Sequence, residues 1–309
     1  MSPPAIEARG LRKTFGGRSV LNGLDLTVAE GTLLALLGPN GSGKTTTVRI
    51  LTTLLRPDGG TARIDGHDVR TEPAAVRRAI GLTAQQASVD ELLTGRENLE
   101  LFAGLNHLGR ARSRRRASEL LDQFRLTDAA ERRAGQYSGG MRRRLDLAVS
   151  MVAAPRVLFL DEPTTGLDPR SRAELWEVVR ELVRAGTTIL LTTQYLDEAD
   201  QLADRVAIIG DGRIVEEDTP RGLKRRVGAE RLRLTLARPD HATAAVALQP
   251  GAHLDTDSGE LVIPLDGPDH LRQVLDTLHR AGLAVASVSV SAPTLDDVFF
   301  RLTDEEVAA

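Results

Sequence analysis

Cysteine is absent from the 309-residue chain. That excludes disulfides, thiolate zinc sites and cysteine nucleophiles, and it fits a reducing interior. Aromatic residues make up only 3% of the sequence, so the stacking platforms of single-strand nucleic-acid binders are missing. Charge of one sign is lacking too. The 40 Lys and Arg against 43 Asp and Glu leave a net charge of −3, without the basic footprint of a nucleic-acid binder. No apolar run approaches the roughly 18 residues that suggest a membrane span. If the protein acts at a membrane, another chain carries the span. Met1-Ser2-Pro3-Pro4-Ala5 has neither a charged start nor an apolar stretch, so no signal peptide is expected. The 41% hydrophobic content is enough for a real core, in one large domain or two smaller ones.

What is present is Gly38-Pro39-Asn40-Gly41-Ser42-Gly43-Lys44-Thr45, spaced as G-x-x-x-x-G-K-[ST], a phosphate loop. Its surroundings fit. Leu33–Leu37 reads as a buried strand, and Thr46 to Thr53 as the start of a helix. Glycines let the backbone fold tightly and turn its N–H groups toward phosphate oxygens. The helix adds its positive N-terminal end. Lys44 should reach the β- and γ-phosphates of a nucleoside triphosphate, and the Thr45 hydroxyl should ligate Mg²⁺.

Upstream, Ile6–Phe15 alternates loosely as a strand, and Val20–Val28 resumes the alternation after Gly16-Gly17. Phe15 either stacks on a base or packs within the sheet, and the residues leave both open. Downstream, Thr61–Ile64 and Ile80–Ala84 read as strands, with a short helix over Glu72–Arg78 begun near Pro73. Gln85 stands at a strand end, as a Mg²⁺ ligand holding a water or as a surface amide. Leu92 to about Met151 turns helical, with apolar residues near 3.6-residue spacing. Arg110, Arg112, Arg114, Arg115 and Arg116 read as a solvated helix face.

Two further stretches carry chemistry. Ser138 is a candidate N-cap, and Gly139 and Gly140 leave N–H groups accessible at a helix start. The stretch is a second phosphate cradle or a plain capped helix. Arg156-Val157-Leu158-Phe159-Leu160-Asp161-Glu162 is a continuous apolar run ending in two carboxylates, as for a strand covered on both faces. The carboxyl end of such a strand is where α/β sheets bind ligands. Asp161 is expected to hold Mg²⁺, and Glu162 to act as general base on the attacking water. Another buried strand, Ile189–Thr193, ends at Gln194. Val206–Ile209 and Arg213–Glu216 flank the hairpin turn Asp211-Gly212.

Taken together, Ile6 to about Arg226 resembles the ATP-binding subunit of an ABC transporter. The resemblance rests on elements in the family's order: Phe15, the loop Gly38–Thr45, Gln85, the signature Ser138-Gly139-Gly140, the strand ending Asp161-Glu162, and Gly166-Leu167-Asp168. It implies an α/β phosphate-loop NTPase core over residues 1–228, with a helical subdomain at about 87–151. It implies that Phe15 stacks on adenine. Gly38, Pro39, Asn40, Gly41, Ser42, Gly43, Lys44, Thr45 and Thr46 would wrap the phosphates of ATP with Mg²⁺. Gln85 would touch Mg²⁺ and sense a transmembrane partner, and Glu162 would be the base. Ser138, Gly139 and Gly140 would bind the γ-phosphate held by the other copy of a head-to-tail homodimer, and Asp168 would cross that interface. Thr192–Asp200 and Pro293–Phe299 look like the daunorubicin-resistance type of drug exporter. Position 194 usually carries a His that contacts the γ-phosphate. Here it is Gln194, which can donate a hydrogen bond but cannot titrate near neutral pH.

Beyond residue 228 the nucleotide motifs stop. Arg231–Leu236 alternates strictly, Glu260–Leu265 and Val285–Val290 read as further strands, and His270–Ala281 is an amphipathic helix stopped by Gly282. Thr294 is expected to cap a last helix through Leu302. Residues 229–309 therefore form a small α+β domain, to which the resemblance gives an accessory role in dimerisation or regulation. The functional expectation is an ATP-hydrolysing subunit on the cytoplasmic face of the cell membrane, beneath a separate transmembrane permease, with no nucleic-acid partner. The competing readings are a non-transport ATPase of the same type and a slow-turnover ATP sensor, which Gln194 suggests.

Overall fold

The antiparallel pair β1 (Ile6–Phe15) and β2 (Arg18–Val28) opens the computed structural model, which describes residues 3–83, 88–227, 230–255, 258–265, 267–291 and 293–298. β3 (Leu33–Leu37) is buried at every residue and leads through a loop into α1 (Lys44–Leu51). β4 (Gly59–Ile64) and β5 (His67–Asp68) complete a sheet ordered β2-β1-β4-β5. α2 (Pro73–Ala79) carries its proline in the first turn, where a missing N–H costs nothing. β6 (Ile80–Thr83) follows. The expected continuation of that strand toward Gln85 lies outside the described residues.

The helical region consists of α3 (Gly95–Leu105), α4 (Arg110–Gln123) and α5 (Gly139–Ser150). α3 begins with a capping box. The Thr94 hydroxyl accepts from the Glu97 N–H at 3.1 Å, and the Glu97 carboxylate accepts from the Thr94 N–H at 2.8 Å. On α4, Arg110, Arg112, Arg114 and Arg115 are exposed, as a solvated face requires. Arg116 differs. It donates to the carbonyls of Met151 at 2.7 Å and Val152 at 3.3 Å, just past the end of α5.

β7 (Val157–Asp161), α6 (Pro169–Arg184), β8 (Thr188–Thr193), α7 (Leu196–Leu202), β9 (Arg205–Gly210) and β10 (Arg213–Asp218) complete the first unit. The six-stranded sheet is ordered β10-β9-β3-β8-β7-β6. It is parallel except for β10, which pairs antiparallel with β9. β7 and β8, like β3, are buried throughout, the expected state of strands covered on both faces. Parallel pairing gathers the carboxyl ends on one edge. Leu37 pairs with Thr193, and Asp161 with Thr192. The loop after β3, the carboxylates ending β7 and Gln194 after β8 therefore emerge side by side, where such sheets bind ligands.

The chain divides at Thr219/Pro220 into two units. The second contains α8 (Pro220–Val227), β11 (Glu230–Leu236), α9 (Ala242–Leu248), β12 (His253–Leu254), β13 (Leu261–Leu265), α10 (Pro268–Arg280) and β14 (Val285–Ser291). α8, assigned by sequence to the end of the first domain, groups with the second unit. The antiparallel sheet is ordered β12-β13-β11-β14. Leu232, Leu234 and Leu236 pack with Val274 and Leu278 of α10. The intervening Arg231 and Arg233 lie on the opposite face.

Candidate functional site: the phosphate loop and the carboxylate strand end

The loop between β3 and α1 is shaped by close approach. Gly43 precedes α1 at φ 112°, and a Cβ there would lie 2.7 Å from Leu21 Cδ2. Only glycine meets both demands. Lys44 is 5% exposed and donates from Nζ to the carbonyls of Gly38 at 2.6 Å and Pro39 at 3.0 Å. Burial holds its pKa below the usual lysine range, and Glu162 and Asp161 act the other way. Within the loop, Ser42 Oγ is buried with no hydrogen-bond partner among the described residues. An unmet buried hydroxyl of this kind suits a ligand that brings acceptor oxygens.

Asp161 closes β7 and is buried. Its Oδ1 accepts from the Thr192 hydroxyl on the neighbouring strand and stands 3.5 Å from Thr45 Oγ1. Two hard oxygen donors so placed fit Mg²⁺. Glu162, the next residue, has a left-handed backbone with φ 49°, a state that costs a non-glycine residue about 1–3 kcal/mol. Its N–H donates to the Thr192 carbonyl at 3.0 Å, and its Oε2 accepts from the Thr165 hydroxyl at 3.4 Å. The turn swings the Glu162 side chain toward the loop.

A cleft of about 320 Å³ results, lined by Phe15, Asn40, Gly41, Gly43, Lys44, Thr45, Thr46 and Glu162, and also by Arg18 and Val20. Phe15 is 47% exposed, so it is no core residue, and Lys13 Nζ lies 5.5 Å from its ring centroid. Arg18 and Val20 escaped the sequence reading. Their only signal is their position just after the Gly16-Gly17 turn, on the strand returning from Phe15.

The signature residues lie elsewhere. Ser138 caps α5, its hydroxyl accepting from the Met141 N–H at 3.2 Å. Gly140 packs where a Cβ would stand 2.7 Å from Ser171 Cβ. Asp168 caps α6 and accepts from the Ser171 N–H at 3.0 Å and hydroxyl at 2.6 Å. Ser138, Gly139, Gly140 and Asp168 are thus brought to one place, but none lines the cleft around Lys44. Gln194 is exposed after β8 and does not line it either. Gln85 lies outside the described residues.

Comparison with known proteins places the chain in a family. Residues 21–165 match the family model described as ABC transporter, and residues 219–303 match that of the ATP-binding protein DrrA1-3-like, C-terminal domain. The daunorubicin resistance ATP-binding protein DrrA2 of Streptomyces coeruleorubidus is 54% identical, over 97% of this chain and 95% of its own. The daunorubicin/doxorubicin resistance ATP-binding protein DrrA of Streptomyces peucetius is 53% identical, over 97% and 92%. Among solved structures, an ATP-binding cassette captured as a dimer in a post-hydrolysis state with ADP and Pi has a TM-score of 0.63 at 27% identity. The match covers 69% of this chain and 98% of that one. With identity above one half along nearly its whole length, the chain belongs to the daunorubicin-resistance family of ABC transporter ATP-binding proteins.

Proposed function

We propose that this chain is the ATP-hydrolysing subunit of an exporter of drug-like small molecules. It would work as a head-to-tail homodimer on the cytoplasmic face of the membrane, beneath a separate permease. The observation that carries the reading is the split between two anion cradles. Lys44, Thr45 and Glu162 share one cleft, whereas Ser138, Gly139 and Gly140 do not line it. A second copy would complete each site. The resistance named in the relatives supports the export reading. Among the described residues no helix is long and apolar enough to cross a membrane, and the reading assigns the span to the permease.

In this scheme adenine stacks on Phe15. The phosphates lie along the N–H groups of Gly38–Thr45, and Lys44 exchanges its two carbonyl partners for phosphate oxygens. Thr45 and Asp161 would hold Mg²⁺, which supplies charge neutralisation at the phosphates. Glu162 takes the proton of the attacking water as general base. Ser138, Gly139 and Gly140 of the second copy stabilise the γ-phosphate as charge builds on it.

Co-expression with the permease tests the proposal. The chain should sediment with membranes only when the permease is present and should turn over ATP there. Binding of ATP without turnover would replace the proposal with a regulatory sensor. Turnover with no dependence on any membrane protein would replace it with a non-transport ATPase.

A further inference from the structure

Behind the carboxylate strand end stands a buried guanidinium. Arg143, in the second turn of α5, has a side chain 11% exposed. Its Nε donates to the Pro163 carbonyl at 2.8 Å, and its Nη2 to the carbonyls of Asp161 and Glu162, each at 3.3 Å. Three consecutive carbonyl groups converge on one cation. On its other side, Nη1 meets Asp146 Oδ2 at 3.4 Å. Asp146 is itself buried, and its Oδ1 accepts from the Ser88 N–H at 2.7 Å.

The residue type matters here. Three carbonyls directed at one dry spot need donors. A planar guanidinium offers five N–H groups in a fixed fork, so it can serve three carbonyls and a carboxylate together. An ammonium has three donors and no fork. The gripped carbonyls belong to Glu162 and to the residues on either side of it. A left-handed glutamate persists only where its surroundings over-determine it, and this contact contributes from a residue that does not line the cleft.

We infer that Arg143, held in place by Asp146, is a positioning residue for ATP hydrolysis, fixing the backbone at 161–163 so that Glu162 faces the cleft. The inference rests on the reading of Glu162 as general base. It also joins the two halves of a composite site. α5 begins with Gly139 and Gly140, one turn ahead of Arg143. The helix that offers its start to the partner copy's nucleotide is therefore bolted to the carboxylate serving its own.

Steady-state kinetics on the full-length chain decide it. Arg143→Lys should lower kcat about 10- to 100-fold while ATP affinity stays within about twofold, because only the transition-state geometry suffers. In a Glu162→Gln background the same change should add no further loss, since groups acting as a unit are non-additive. Wild-type kcat in Arg143→Lys, or a full multiplication of its loss in the double variant, overturns the brace while leaving the general base standing. Wild-type turnover in Glu162→Gln overturns the general base and the brace with it. Asp146→Asn keeps the shape and the acceptor for Ser88 while removing the charge, and it serves if Arg143→Lys does not fold. It should lower kcat about 3- to 10-fold at unchanged affinity, and an unchanged kcat overturns the brace.

Discussion

β8 and β14 are short strands of similar make-up, rich in small and branched residues. Every residue of β8 is buried, whereas five consecutive residues of β14 are exposed. The difference lies in their sheets. β8 sits between β3 and β7, and parallel strands need long crossovers that cover both faces. β14 is the edge of an antiparallel sheet. Val288 and Val290 pair with Leu234 and Leu232, yet each is 46% exposed. The crossovers that bury β8 also collect several loops at one end of the sheet, and chemistry concentrates there. Among the described residues, the antiparallel sheet of the second unit gathers no such set of loops.

The contrast can be broken most forcefully at Glu162. Glu162→Gln should lower kcat by about 10²–10⁴, the usual worth of a general base, while ATP binding and an ATP-stabilised dimer persist. Turnover assays paired with size exclusion in Mg-ATP would read both, and retained turnover would move catalysis away from β7. Next comes Lys44→Ala, which removes charge-assisted contacts and should weaken ATP binding about 10- to 150-fold. Equal affinity in a nucleotide titration would dissolve the phosphate-loop assignment.

A smaller effect is expected at Gln194, which is exposed beyond the cleft lining. Gln194→Ala should cost about tenfold in kcat, one oriented hydrogen bond's worth, with ATP affinity unmoved. A kcat identical to wild type would make it a surface amide. The smallest change should follow from ending the chain after Thr219, at the division between the units. ATP affinity of the folded truncation should stay within about twofold. A large loss would erase the contrast, since the second unit would then help to build the site.

Much of this was legible because it is local. The phosphate loop, the Ser138 cap and the apolar run into Asp161 are written in consecutive residues, and β3, α5, β7 and β8 appear there, whereas α8 and β12 were not read and the helix expected from Thr294 to Leu302 runs beyond the described residues. What escaped depends on distance along the chain. Thr192 reaches Asp161 across 31 positions, and Arg143 reaches Pro163 across 20. Neither contact leaves a periodic trace. Arg116 looked like one more solvated arginine because the carbonyls it reaches, of Met151 and Val152, lie 35 and 36 positions along the chain. The sequence set the boundary at residue 228, while the chain divides at Thr219/Pro220; the run between carries no motif that would mark the division.

The left-handed backbone of Glu162 makes position 162 a place where durability and work pull apart. Glycine would adopt that conformation freely and relieve about 1–3 kcal/mol of local strain. Selection for a sturdier fold alone would drift there, and so would any engineering campaign scored only by melting temperature. Melting curves of Glu162→Gly without nucleotide should therefore rise, and a fall would show that the surrounding contacts outweigh the strain. A hardier protein with glycine at this point would have lost its carboxylate, a trade-off that marks strained active-site positions generally.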